Sequence, residues 1–245
     1  MGWLWRRIGE KQAMPPWGIF TALAMAIGAF VSIVLGALIA GSFSEQSTTS
    51  ILLAYCMGMG FTALLVTVMC NRTPADGVAL AMGKANARIP LILMLSFGFG
   101  AVLDLLTLIV TGRPYILPEI TSAGGISQMN QAGFSAWFLA GLLLLVLQPI
   151  AEGLVFRGVA YPVLRAILGS RAGFFMAAAW FGIFHMLAYV SASGSGDFNG
   201  LWVTAIVPIV IGLYLNVIRA ATESTRISMI AQVGLSLFLL VRVFA

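Results

Sequence analysis

Residues 17–40 read WGIFTALAMAIGAFVSIVLGALIA, a run without a single ionisable side chain. The hydrocarbon core of a bilayer is about 30 Å thick, and at about 1.5 Å rise per residue roughly 20 helical residues cross it. The run is therefore long enough to span. Arg6, Arg7 and Lys11 precede it in the manner of a signal-peptide basic region. The apolar stretch is too long for such a peptide, however, and no small-residue cleavage pattern follows it. It reads as a retained helix, with Pro15 and Pro16 setting its start and Trp17 at the membrane interface.

Six more runs of this kind follow, at 50–69, 89–110, 134–151, 174–190, 201–218 and 227–241. Between the fourth and fifth, residues 152–168 are apolar but carry Arg157 and Arg165. They read as a separate helix on the cytoplasmic side, and if that helix enters the membrane the count becomes eight. The whole chain agrees with its runs. Of its 245 residues 60% are hydrophobic and 9% charged, against about 25% charged in soluble domains, and mean hydropathy is +1.02. A soluble core of this size has too large an exterior to leave so little polar cover. The sequence thus predicts an all-α polytopic membrane protein, one membrane domain over 1–245, and excludes a soluble enzyme, a disordered regulator and a disulfide-framed secreted domain.

The net charge of +5 belongs to loops rather than to a nucleic-acid surface. Of the 13 Lys and Arg residues, all but Arg113 and Arg242 fall on one side of the predicted spans, in segments holding Arg6, Lys11, Arg72, Lys84, Arg88, Arg171 and Arg219 among others. Positive loops stay inside, so the N-terminus is predicted cytoplasmic and the C-terminus external. The longest external connection, 111–133, is polar and punctuated by Gly and Pro, with no role assigned. Cys56 and Cys70 lie 14 residues apart on one predicted helix, about 21 Å along its axis, too far for a disulfide. With one histidine and no Cys/His cluster, a multi-histidine metal site is not expected, and no cofactor is implied.

Ionisable groups inside a bilayer are expensive and so are functional candidates by default. Glu152 and Arg157 lie in AEGLVFRG, five residues apart rather than the three or four of helical neighbours. Four before Arg157 stands Gly153, with no side chain to offer. The plainer reading is an interfacial pair anchoring a helix end. His185, in AAAWFGIFHML, has Phe181 four residues earlier, on the same helix face. A lone histidine in an apolar helix is more often a hydrogen-bonded core residue than a catalyst. If its face meets Glu152, a carboxylate and an imidazole around one water are the minimum for general-base hydrolysis. Gln232 and Ser236 form an i,i+4 pair in the last span, either bonding neighbouring helices or facing that same site. Asp104, in the third span, has no motif around it and reads as structural.

Glu-x4-Arg followed by Gly, then Phe-x3-His, then a polar i,i+4 pair in a late helix together resemble the CAAX prenyl protease and bacteriocin-processing (Abi) family of intramembrane proteases. The likeness covers roughly residues 134–244; the first three spans carry no motif. The family's Glu-Glu-x3-Arg appears here as Glu152-Gly153-x3-Arg157, with the second Glu lost, and Phe181 and His185 keep the second motif. The third, His-x3-Asn, becomes Gln232 and Ser236; a rival placement uses Gly212 and Asn216, and neither recovers the histidine. The resemblance implies Glu152 and His185 as the water-activating pair, supported by Arg157 and Phe181, with Gln232 and Ser236 in place of oxyanion donors.

Losing one oxyanion donor costs about 10²–10³ in rate. The altered positions therefore favour a catalytically degenerate member, serving as a membrane-embedded scaffold, binding protein or accessory subunit of a membrane complex. The alternative is an active, metal-independent intramembrane peptidase cutting membrane-proximal peptides. Either would have the lipid bilayer, and further membrane subunits or a peptide, as partners, and not nucleic acid. Nothing in the sequence encodes recognition of a prenyl group. The charge bias fits a bacterial inner membrane, and Glu152, His185 and Gln232 are expected to line one cavity in its cytoplasmic half.

Overall fold

The structure, a computed structural model, describes residues 2–43, 47–83, 88–189 and 198–244. Lys84 and the predicted end of the fifth span at 190 lie outside the described residues. Among the described residues eleven helices follow in order: α1 (Gly2–Gly9), α2 (Ile19–Phe43), α3 (Thr48–Cys70), α4 (Pro74–Ala79), α5 (Ile89–Thr111), α6 (Pro118–Ser122), α7 (Gly125–Ala132), α8 (Phe134–Leu168), α9 (Ser170–Ala188), α10 (Phe198–Thr222) and α11 (Thr225–Phe244). Seven of them, α2, α3, α5 and α8–α11, are long and apolar enough to cross a membrane.

Local chemistry sets several of the ends. Ser47 caps α3 through a reciprocal exchange with Ser50, and Thr73 does the same for α4 with Asp76, ahead of Pro74. Gly112 closes α5 in the left-handed conformation that glycine adopts without strain, at φ 69°.

The chain departs from its sequence reading at α8. No separate helix begins at Glu152; one helix of 35 residues runs from Phe134 to Leu168. Prolines explain both the expectation and the outcome. A proline inside an α-helix lacks an N–H and presses on the carbonyl four residues before it, which usually kinks or ends the helix. Here π-helical turns cover Leu143–Leu147 and Gly153–Ala160, containing Leu145 and Gly158, the residues four before Pro149 and Pro162. In α10 the π turn Trp202–Ile206 contains Thr204, four before Pro208. The wider turn relieves each clash, so the helix continues. Other side chains serve the carbonyls of the second π stretch: Thr225 Oγ1 donates to Arg157 O at 3.4 Å and Trp17 Nε1 to Val159 O at 3.4 Å. Trp17 is therefore buried ahead of α2, not stationed at an interface.

The spans pack as pairs around α8. In the α2–α3 pair, a side chain on Gly36 would strike the Ala54 and Gly58 backbone, the close approach that small residues permit in lipid. Gly100 and Gly234 do the same for α5 against α11, and Gly182 and Gly212 for α9 against α10. Phe20, Met94 and Ile109 stand 72–84% exposed on the outside, a surface that suits hydrocarbon and not water. Asp104 has the structural role expected of it. It pairs with Arg242 Nε at 2.8 Å and accepts from the Tyr115 backbone N–H at 2.8 Å. Cys56 and Cys70 are free and buried.

Candidate functional site

Glu152 sits between the two π stretches of α8, on the short α-helical segment Gln148–Glu152. Its carboxylate is buried and fully engaged. Oε1 accepts from Gln148 Nε2 at 2.9 Å and lies 3.3 Å from His185 Nε2, while Oε2 accepts from Gln232 Nε2 at 2.7 Å. Helices α8, α9 and α11 thus bring their candidate residues to one point. Ser236 lines the same cavity, whose volume is about 30 Å³, the share of one water in the liquid. The rival pair does not reach it. Asn216 donates to Phe174 O at 3.0 Å, and Gly212 packs on Ala178 and Phe181.

The Phe-x3-His spacing has a structural reason. His185 Nδ1 lies 3.1 Å from the Phe181 carbonyl oxygen, which only accepts, so Nδ1 carries a proton and Nε2 is turned to Glu152. The Phe181 ring is 4.2 Å from the imidazole centroid on one side and lies 4.0 Å beneath the Arg157 guanidinium on the other. The one ring is in contact with both. Arg157 is one of the most deeply buried side chains, and none of its guanidinium nitrogens has a hydrogen-bond partner among the described residues. It makes no ion pair with Glu152, five residues earlier; the π stretch that carries it begins directly after that residue.

Two groups at the site escape the sequence reading. Gln148, one helical turn before Glu152, uses its single amide nitrogen to bridge two carboxylates, donating to Glu152 and, at 2.6 Å, to Glu119 Oε1. Glu119 comes from α6, in the connection without an assigned role, and is 1% exposed with its Oε2 unpaired among the described residues. Burial pushes its carboxyl above the usual range, reinforced by the Glu152 charge and opposed by His185 and the Gln148 hydrogen bond. The i,i+4 spacing of Gln148 and Glu152 was available as a signal; for Glu119 none existed, because a loop position has no periodicity to place it.

Glu119 also alters the meaning of Gly153. Position 153 cannot carry the missing second glutamate as packed, since even a Cβ there would run into the Met229 side chain. A second carboxyl does reach the site, from outside the helix. Tyr115 and Leu117 wall the cavity beside it. The Arg242 and Asp104 side chains hold Tyr115 in place, and Thr48 Oγ1 binds Ala123 O at 3.0 Å on the far side of α6. These residues belong to the connection that the charge bias puts outside. His185 is three residues from the outer end of α9. Glu152, His185 and Gln232 line one cavity as expected, and Tyr115, Leu117 and Glu119, from the connection that the charge bias assigns outside, wall it on one side. Among the described residues, no three His, Cys, Asp or Glu side chains are arranged to hold a metal ion.

Residues 134–238 match the family model described as type II CAAX prenyl endopeptidase, Rce1-like. No curated protein and no solved structure is significantly similar to the chain. The matched stretch runs from the first residue of α8 into the last turns of α11 and includes Glu152, Arg157, Phe181, His185, Gln232 and Ser236. The chain is therefore an integral membrane protein whose residues 134–238 are similar to the Rce1-like CAAX endopeptidase family.

Proposed function

We propose that this protein is an intramembrane peptidase of a bacterial cytoplasmic membrane, hydrolysing membrane-proximal peptides with water activated by the directly paired Glu152 and His185. The observation that carries the proposal is the 3.3 Å approach of His185 Nε2 to Glu152 Oε1 beside a cavity of about 30 Å³. As the water oxygen bonds to the peptide carbonyl carbon, its proton passes to the Glu152–His185 pair. When the tetrahedral intermediate collapses and the C–N bond breaks, a proton goes to the leaving amine. Glu119, whose carboxyl burial keeps protonated further up the pH scale, is placed to give it. The proton gained from water then restores Glu119, leaving a carboxylic acid and an amine. A cavity of one water's size admits no peptide, so the Tyr115–Glu119 wall must move for substrate to enter from the external side.

A second reading is favoured by Gln232. Its amide hydrogen bonds to Glu152, and its Oε1 is buried without a partner among the described residues. That amide is committed to the base rather than free for an oxyanion, which suits a member that holds peptides or subunits without cutting them. Glu152→Gln separates the two, because the neutral amide keeps shape and hydrogen bonding but cannot take a proton. The purified chain in proteoliposomes, offered a library of transmembrane peptides, should cleave some of them, and Glu152→Gln should cleave none. If the wild type cuts nothing while Glu152→Gln complements a deletion strain fully, the scaffold reading replaces the peptidase.

A further inference from the structure

A second polar cavity, of about 420 Å³, lies at the other end of α8, among its last turns, α10 and the segment after α1. Four cations line it, Arg7, Lys11, Arg165 and Arg219, against two carboxylates, Glu10 and Glu223. Arg7 occupies both carboxylates, at 3.1 Å to Glu10 and 2.5 Å to Glu223. The two guanidinium groups deepest in the wall have no carboxylate within salt-bridge distance among the described residues.

Arg165, 6% exposed, donates only to neutral oxygens: the Tyr161 hydroxyl at 3.0 Å and the backbone carbonyls of Arg7, Ile8, Glu10 and Ser170. Arg219, 5% exposed, has no hydrogen-bond partner for its Nε, and its guanidinium stands 5.6 Å from the Tyr161 ring that also lies under Arg165. Two buried cations share one aromatic ring, and the carboxylate next to Arg219, that of Glu223, is bound by Arg7. Such charges are costly without a counter-charge.

The setting indicates which anion. Helix α1 lies across this end of the bundle. Ile8 is buried with Tyr161, Leu164, Phe174 and Ala220, while Trp3 and Trp5 stand 54% and 48% exposed. Arg171 lies over the Trp5 ring at 4.9 Å. A short helix with its tryptophans outward and its arginines beside them is how a chain rests at the headgroup level. A basic pocket between spans on the cytoplasmic side is where anionic headgroups are held.

We propose that this cavity binds a phosphate group, with Arg219 and Arg165 as its buried anchors and Lys11 at its exposed rim. The phosphate comes either from an anionic phospholipid or from a free phosphate. Unlike the peptidase reading, this site does not depend on catalysis at Glu152.

The test uses the full chain in mild detergent. Phosphatidylglycerol, phosphatidylcholine and inorganic phosphate are titrated separately, with binding read by native mass spectrometry and thermal unfolding. One saturable phosphatidylglycerol per chain is expected, with no equivalent binding of phosphatidylcholine. Arg219→Gln should weaken it by about tenfold or more, the loss expected for a charge-assisted hydrogen bond. Lys11→Gln, at an exposed position that leaves the fold intact, should weaken it severalfold. Saturable binding of inorganic phosphate at similar affinity, lost in the same variants, assigns the site to a soluble ligand; its absence assigns the site to lipid. Indifference between the two lipids together with no phosphate binding overturns the proposal. So does unchanged binding in both variants.

Discussion

The two polar cavities of this protein share one helix and solve opposite electrostatic problems. Near the middle of α8, Glu152 and Glu119 are gathered with His185 around about 30 Å³, and both oxygens of Glu152 are engaged. Toward its end, Arg165 and Arg219 border about 420 Å³ and are left without carboxylates. Acidic groups with an engaged base are what proton transfer needs, and a small volume limits competing solvent. Unpaired guanidinium groups around a larger opening suit holding an anion. On the proposals above, one site moves protons and the other holds charge, and the largest expected effect tests that separation directly. Glu152→Gln or His185→Ala should lower peptide cleavage by about 10²–10⁴ while leaving phosphatidylglycerol binding at the other end of α8 unchanged. If lipid binding falls with cleavage in both variants, the cavities are coupled and the division fails.

The second effect comes from the position where the family's glutamate is missing. Gly153→Glu must move Met229 to make room and then bury a further carboxylate beside Glu152 and Glu119. Overpacking costs about 1–3 kcal/mol, and an uncompensated buried charge about 3–5 kcal/mol. The variant should therefore fail to accumulate as a monodisperse protein. Gly153→Ala, which brings the overpacking without the charge, should fold with a lowered melting temperature. Monodisperse Gly153→Glu with wild-type melting would mean that Met229 yields freely and that Glu119 does not stand in for the missing group.

How far all this was legible in the sequence depends on the kind of order involved. The spans were, because a bilayer sets a length and the run at 17–40 meets it. Glu152, His185, Gln232 and Ser236 were, because motif spacing survives translation into helix faces. The continuity of α8 was not. Pro149 and Pro162 look like breaks, and only the π turns before them let the helix run on. The five-residue step from Glu152 to Arg157 was a sound signal, since among the described residues the two side chains form no hydrogen bond or ion pair. Glu119 was beyond reach, as its contact with Gln148 spans 29 residues and begins in a connection with no repeating pattern. Arg219 was visible only as one more inside charge; its burial depends on α1 folding back over α10.

The third effect sharpens the acidic cavity from within. Phe181 touches both the His185 imidazole and the Arg157 guanidinium. Phe181→Leu keeps an apolar side chain of similar bulk but removes the face that attracts the cation, a contribution of about 2 kcal/mol when desolvated. A fall in stability of about 1–2 kcal/mol is expected. Phe181→Tyr, which preserves the ring, should recover part of it if its hydroxyl is accommodated. Equal stability of the Leu variant and the wild type would show that Arg157 is held by something other than the ring.

The last effect is spread across a pH range and is the smallest at any single pH. Burial raises the Glu119 carboxyl above its ordinary range, with the Glu152 charge adding to the rise. A carboxyl whose folded pKa exceeds its unfolded one contributes stability that is complete below the unfolded value, about 4.3. That contribution is lost as pH climbs through the folded value, with a slope of at most about 1.4 kcal/mol per pH unit for one proton. Glu119→Gln stays neutral at every pH and still presents an oxygen to the Gln148 amide. The two proteins should therefore melt alike at the acid end, and the variant should become the more stable as pH rises through the window. The acidic cavity is where this belongs; Lys11→Gln at the basic one should leave the pH profile of melting parallel to wild type. Melting temperatures between about pH 4 and pH 8 decide it. Parallel curves for Glu119→Gln and wild type would show that Glu119 does not change its protonation in that window, and the proton it is proposed to give the leaving amine would have to come from elsewhere.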